Sequence, residues 1–94
     1  MLFSDPYQTI HDVGRRVAEL RAQRGLTQEK LAARADVTLK YLQRIEAGKE
    51  NLTLESLVHL ANLLQAELVE FFEKPLSPFS KRGRPPKNFI TAAS

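Results

Sequence analysis

The chain has 94 residues, no cysteine and a net charge of +3 at pH 7. This length fits one domain with short terminal segments, and the lack of cysteine excludes disulfides, thiolate catalysis and cysteine-ligated zinc. The sequence has neither a signal-peptide pattern nor an apolar run near the roughly 18–20 residues of a membrane span. We therefore expect a cytoplasmic, single-domain protein.

The charged residues are unevenly distributed along the chain. Residues 11–49 carry nine basic and five acidic groups, and residues 50–73 carry five acidic groups and no basic one. Residues 74–94 carry five basic groups and no acidic one. Because basic surfaces attract phosphate polyanions, this pattern predicts DNA contact through the first half and the tail, with the acidic segment turned away.

Residues 1–8 are predicted to be an N-terminal arm, because a capping box beginning at Thr9 marks a first helix that ends at Gly25. The apolar face of this helix consists of Ile10, Val13, Val17 and Leu20. Three arginines lie off that face and are expected at the surface: Arg15, Arg16 and Arg24. We expect water around Arg16 and a phosphate near Arg24.

Two short helices joined by a tight turn follow between residues 26 and 49. Thr27 and Thr38 can cap them, and Gly48 suits a left-handed C-terminal position. Hydrophobic-staple spacing flanks each cap, with Leu26 paired to Leu31 and Val37 to Leu42.

The helix after Thr38 has an apolar side, which includes Leu42 and Ile45, and a side with long hydrogen-bond donors. The donors are Lys40, Gln43 and Arg44. Arg and Lys can donate to guanine, and Gln can bond adenine, so this helix suits the DNA major groove. A solvated amphipathic helix is the alternative interpretation.

Thr53 is predicted to cap a fourth helix, whose apolar face is Leu54, Leu57, Leu60, Ala61 and Leu64. Residues 67–73 fit a short fifth helix that ends before Pro75. Its apolar residues are predicted to form a homodimer interface: Leu68, Val69, Phe71 and Phe72. The alternative is that both phenylalanine rings belong to the core.

Residues 75–94 are predicted to be a Pro-rich linker and a basic tail. The sequence RGRP at residues 82–85 resembles the AT-hook, a minor-groove peptide. In this interpretation Gly83 lets the backbone approach the groove floor, while arginines occupy a narrow A·T-rich groove. The predicted minor-groove residues are Lys81, Arg82, Gly83, Arg84, Pro85 and Lys87. Phosphate-only contact, or no DNA role, are the alternatives.

The sequences LRAQRGLTQEKLA and YLQRIEAGKENLTLESL resemble the helix-turn-helix of the phage Cro and repressor group, the XRE family. The resemblance extends from about residue 13 to residue 72. It implies an all-α, five-helix repressor-like domain over residues 9–74, with a disordered or extended basic C-terminal tail. The family commonly has Gly where Gln65 stands, so the joint before helix five is expected to differ.

The resemblance also implies residue roles. The residues predicted to contact DNA bases are Thr38, Leu39, Lys40, Gln43 and Arg44. The predicted phosphate contacts are Arg24, Thr27, Gln28, Lys49 and Asn51; the resemblance implies Gln28 and Asn51, and Arg24 is chosen because it lies near the start of the second helix. Gln28 would in addition brace the recognition helix, and Arg21 with Glu46 would form a structural ion pair.

Three functions remain open at this point. The first is a repressor-type transcriptional regulator that binds a palindromic operator as a homodimer, with a restriction–modification controller as a variant. The second is an antitoxin that binds a toxin and regulates its own operon. The third is an A·T-tract architectural binder that uses the RGRP tail. Each places the protein on double-stranded DNA in a prokaryotic or phage-type cytoplasm, at the nucleoid.

The sequence has no nucleophile–base pair, no metal-ligand spacing and no phosphate loop. We therefore expect no enzyme activity, no cofactor, no metal and no small-molecule ligand.

Overall fold

A computed structural model describes residues 5–76 as four α-helices and one 3₁₀ helix. The α-helices are α1 (Pro6–Gln23), α2 (Gln28–Ala35), α3 (Leu39–Glu46) and α4 (Leu54–Leu64), and the 3₁₀ helix is Leu68–Phe72. No strand occurs in this range, so the all-α prediction is confirmed, but the fifth element is a 3₁₀ helix and not an α-helix. The predicted minor-groove segment, residues 81–87, lies outside the described residues. None of the described helices is long and apolar enough to cross a membrane.

Threonine caps begin three of the four α-helices, as predicted. The hydroxyls of Thr27, Thr38 and Thr53 accept bonds of 3.0–3.1 Å from backbone N–H groups three residues later. The residue before each cap is partly buried against the core cluster that also contains its predicted staple partner; these residues are Leu26, Val37 and Leu52. The caps and staples together fix where each helix starts and how the chain enters it.

The first helix begins earlier than predicted. Asp5 caps it by accepting a 3.0 Å bond from the Tyr7 N–H, and Pro6 is its first residue. Thr9 is already inside the helix, since its N–H donates to the Asp5 carbonyl at 3.0 Å. The arm predicted through residue 8 is therefore wrong, because a proline at the first helical position loses no hydrogen bond there.

The core lies where all five helices meet. The apolar side chains of α1 pack against α3 and the 3₁₀ helix, and α2 packs against α3 and α4. The largest fully buried apolar side chains are Val17, Leu20, Leu31, Leu42, Leu64 and Phe71. Leu54, predicted to lie on the buried face of α4, is instead 64% exposed.

Arg15 and Arg16, predicted at the surface, are only 2% and 5% exposed. Arg16 donates to the carbonyl of Glu70 at 2.7 Å and to the carboxylates of Glu19 at 2.8 Å and Glu73 at 3.2 Å. It thereby attaches the 3₁₀ helix to α1. Burial lowers the pKa of Arg15, although the Glu46 and Glu19 carboxylates oppose that shift.

Helices α1 and α3 approach each other closely at Gly14. A Cβ atom at this position would overlap the carbonyl oxygen of Ile45 and lie 3.0 Å from the Gly48 nitrogen. Because these neighbours are backbone atoms, a methyl group could be accommodated only by moving α3 away from α1.

We expect Gly14→Ala to lower the free energy of unfolding by about 1–3 kcal/mol, because the methyl group separates two packed helices. Without that overlap, alanine would stabilise the helix by about 1 kcal/mol. Urea denaturation measures the change in the free energy of unfolding. A decrease agrees with the prediction, and an increase would contradict it. Gly25→Ala is the control, since no atom lies within 4 Å of its Cβ and only its φ of +70° opposes the substitution.

Candidate nucleic-acid interface

Helix α3 has one face fixed in the core and one face open to solvent. Leu42 and Ile45 are buried at 0% and 3% exposure, as predicted. The predicted base-reading residues lie on the other side: Thr38, Lys40 and Arg44 are exposed, and Leu39 and Gln43 are half-buried. The hydroxyl oxygen of Thr38 also caps the helix. The outward face thus presents cationic and amide donors that a duplex can approach.

Glu46 connects α3 to both preceding helices. Its carboxylate accepts bonds from Arg21 at 2.7 and 3.1 Å and from the Gln28 side-chain amide at 2.9 Å. Its backbone carbonyl accepts from Arg15 at 2.7 Å. The predicted pairing of Arg21 with Glu46 and the predicted brace from Gln28 are both present. These bonds hold the start of α2 in a fixed position relative to the end of α3.

The predicted phosphate-binding residues surround α3. Thr27 and Gln28 lie at the start of α2, where backbone N–H groups also point outward. Lys49 and Asn51 are exposed in the loop between α3 and α4. The phosphate contacts of these four residues stay a prediction.

Arg24 makes contacts within the protein that the sequence did not predict. Its guanidinium donates to the carbonyl of Leu64 at 2.7 Å and to that of Gln65 at 3.0 Å. A cation at the carboxyl end of a helix is favourable because the last carbonyls there lack partners within the helix. Arg24 therefore joins α1 to the end of α4, and its phosphate contact stays a prediction.

Arg44 is paired with a residue that the sequence interpretation placed away from DNA. Its Nε donates to Glu50 Oε2 at 2.7 Å, and its Nη2 lies 3.4 Å from the Lys49 carbonyl oxygen. Glu50 begins the acidic segment that was expected to turn away. The turn at Gly48 separates the two residues, so no helical spacing signals the pair. Tyr41, 36% exposed on α3, was also missed.

The predicted dimer interface is divided between core and surface. Phe71 is fully buried and therefore unavailable to a second subunit, and Leu68 is partly buried against the core. Val69 and Phe72 are 65% and 54% exposed. The alternative that both rings are core is also wrong. Further exposed apolar residues lie one turn apart on α4, namely Leu54 and Val58.

A helix-turn-helix family model matches residues 17–71. The chain belongs to this family of DNA-binding transcription regulators. It is 41% identical over 58 residues to y4dJ of Sinorhizobium fredii, which is named an uncharacterised HTH-type transcriptional regulator. That match covers 62% of this chain and 75% of the relative. The relatives are regulators and not enzymes, which agrees with the prediction that the chain is not an enzyme.

Two solved structures share the fold. The restriction–modification controller protein C.AhdI from Aeromonas hydrophila has a TM-score of 0.63 and 35% identity, covering 67% of this chain and 96% of that one. A hypothetical transcription factor, NHTF, from Neisseria has a TM-score of 0.67 and 19% identity, covering 80% of this chain and 86% of that one. The second likeness concerns the fold alone.

We expect Glu46→Gln to lower the free energy of unfolding by about 3 kcal/mol. The substitution leaves the largely buried guanidinium of Arg21 without its counter-charge, and breaking such a pair from one side costs about 3–5 kcal/mol. Chemical denaturation followed by circular dichroism measures the loss. Glu29→Gln, an exposed position on α2, is the matched control and should change stability by less than about 0.5 kcal/mol. Equal effects of the two substitutions would contradict the role of Glu46.

Proposed function

We propose that this regulator is a sequence-specific repressor that binds a palindromic operator as a homodimer through α3. The observation that supports this most strongly is the orientation of α3. Its apolar face is buried and Glu46 ties it to α1 and α2, while Lys40 and Arg44 face solvent. A helix held this rigidly can present base-reading side chains in one register.

Each residue group has a distinct task in this proposal. Lys40 and Arg44 donate to guanine O6 and N7, and Gln43 bonds adenine in the major groove. The start of α2 and the loop after α3 hold phosphates, which positions the protein without reading sequence. The tail residues 81–87 would add minor-groove contact, a role that stays a prediction.

The homodimer would use the exposed apolar residues of the second half of the described chain. Val69 and Phe72 belong to the 3₁₀ helix, and Leu54 and Val58 to α4. Phe72 lines the same 110 Å³ cavity as Leu57, so the 3₁₀ helix and the first half of α4 are neighbours. Two copies related by a twofold axis would place their α3 helices about one helical turn of DNA apart, near 10 bp.

The likeness to C.AhdI favours a narrower second candidate, control of a restriction–modification system. The operator would then lie beside genes for a methyltransferase and an endonuclease. The comparisons give no support to a toxin partner, and we do not propose one. Because its target is chromosomal or phage DNA, we assign the protein to the cytoplasm, at the nucleoid.

We expect selection from a random DNA pool to enrich an inverted repeat. Arg44→Ala should then relax base preference at one position per half-site, since a good bidentate contact discriminates by about 1–3 kcal/mol. Lys49→Ala is the control: it should weaken binding to all sequences alike and reduce the salt slope by about 1 per subunit. Footprinting that shows protection without sequence preference would reject the proposed function.

We expect Val69→Asp to raise the dissociation constant of the dimer at least about tenfold, because two carboxylates would face each other across an apolar interface. Sedimentation equilibrium measures the change, and circular dichroism verifies the fold. Ala33→Asp is the control, since it places the same charge at an exposed apolar position on α2, outside the proposed interface. A dimer that tolerates Val69→Asp would place the interface elsewhere.

A further inference from the structure

The contact between Arg44 and Glu50 bears on how the interface distinguishes its site from other DNA, and this inference rests on the proposed function. A carboxylate beside a base-reading arginine opposes phosphate binding, so it weakens DNA affinity in general. Glu50 Oε2 nevertheless lies 2.7 Å from the Arg44 Nε, so its effect on DNA binding needs a physical explanation.

The pair leaves a defined part of the guanidinium available. Arginine has five N–H donors. Glu50 takes the Nε–H, and the Lys49 carbonyl lies 3.4 Å from Nη2. Among residues 5–76, nothing engages Nη1. The end of the guanidinium formed by Nη1 and Nη2 therefore keeps N–H groups without a close partner in this range, and its two nitrogens can donate in parallel to guanine O6 and N7.

Glu50 is less exposed than its partner Arg44. Its side chain is 26% exposed, against 48% for Arg44. It lines a cavity together with Ile45, Leu52 and Phe72. Helix α3 contributes no exposed carboxylate of its own, because Glu46 is buried. Through its contact with Arg44, Glu50 brings a negative charge to the outward face of α3.

We propose that Glu50 is a specificity-determining positioning residue, which holds Arg44 in an end-on orientation for guanine and withholds it from backbone phosphates. On the operator, the orientation is already set and the guanine contact forms without reordering the side chain. On other DNA, Arg44 must either leave Glu50 or bring that carboxylate toward a phosphate. Either change weakens binding to other DNA but not to the operator, so the protein discriminates more strongly between the two.

The test compares the wild type with Glu50→Gln on two duplexes, the site selected by the wild type and a scrambled duplex of equal composition. An exposed ion pair is worth at most about 1 kcal/mol, so we expect the variant to bind scrambled DNA up to about fivefold more tightly per subunit. The salt slope on that duplex should steepen by about 0.9 per subunit, because the released Arg44 gains one phosphate.

Base preference at the Arg44 position should fall in Glu50→Gln, and melting temperature should stay close to that of the wild type. Glu50→Asp, which keeps the charge, should recover part of the preference. When Arg44 is already replaced by Ala, Glu50→Gln should no longer have a special effect. Its influence on affinity for scrambled DNA, salt slope and base preference should then be no larger than that of Glu55→Gln. Glu55→Gln is the matched control, since it removes an exposed carboxylate five residues away on α4.

Several results would overturn the proposal. Equal weakening on both duplexes with a lower melting temperature would show a structural role. If Glu50→Gln had the same effect in the Arg44→Ala background as in the wild type, or if Glu55→Gln had the same effect as Glu50→Gln, the cause would be the change in net charge and not the contact with Arg44. Unchanged binding would show no role. If the wild type enriches no site at all, the proposed function fails together with this inference; if it enriches a site that Glu50→Gln reads equally well, only the inference fails.

Discussion

The carboxylate of Glu46 is the constraint on which the rest of the structure depends. It lies at the last residue of α3, is 2% exposed, and receives bonds from the first helix through Arg21 and from the second through Gln28. Buried ion pairs often add little net stability, because desolvation of the charges offsets their attraction. Their geometric demands are strict, however. The bonds at Glu46 therefore act by fixing the direction in which α3 projects, which a purely apolar core would fix less strictly.

Most features that could be predicted from the sequence are local. Threonine caps, the apolar residues that flank them and the left-handed Gly48 depend on residues within five positions. The caps and the Gly48 conformation are present, and the flanking residues lie in or against the core. The errors concern contacts between distant residues. Arg16 finds its carbonyl partner 54 positions away, and helical periodicity cannot reveal such a partner. Likewise, adjacent phenylalanines share every local property, and only the packing of the 3₁₀ helix buries Phe71 and exposes Phe72.

The charge pattern was informative for the chain as a whole and misleading for individual residues. The acidic segment does not simply turn away from the basic half. Glu70 and Glu73 supply the carbonyl and the carboxylate that hold Arg16, so part of this segment attaches the 3₁₀ helix to α1. Glu50, at its start, reaches the outward face of α3. A block of like charge therefore describes the average field of a segment, while each carboxylate acts within a few ångströms of its own partner.

The joint after α4 shows how a departure from the family pattern is accommodated. Gln65 adopts the left-handed conformation at φ +53°, and the Ala66 N–H closes the helix by donating to the Ala61 carbonyl at 2.9 Å. This conformation costs a residue with a side chain about 1–2 kcal/mol, so glycine is the usual choice. Arg24 donates to the Leu64 and Gln65 carbonyls at this turn, and hydrogen bonds from a charged group contribute about 1.5–3 kcal/mol. Arg24 can thus offset the strain at Gln65, which gives a physical reason for an arginine directed at the end of α4.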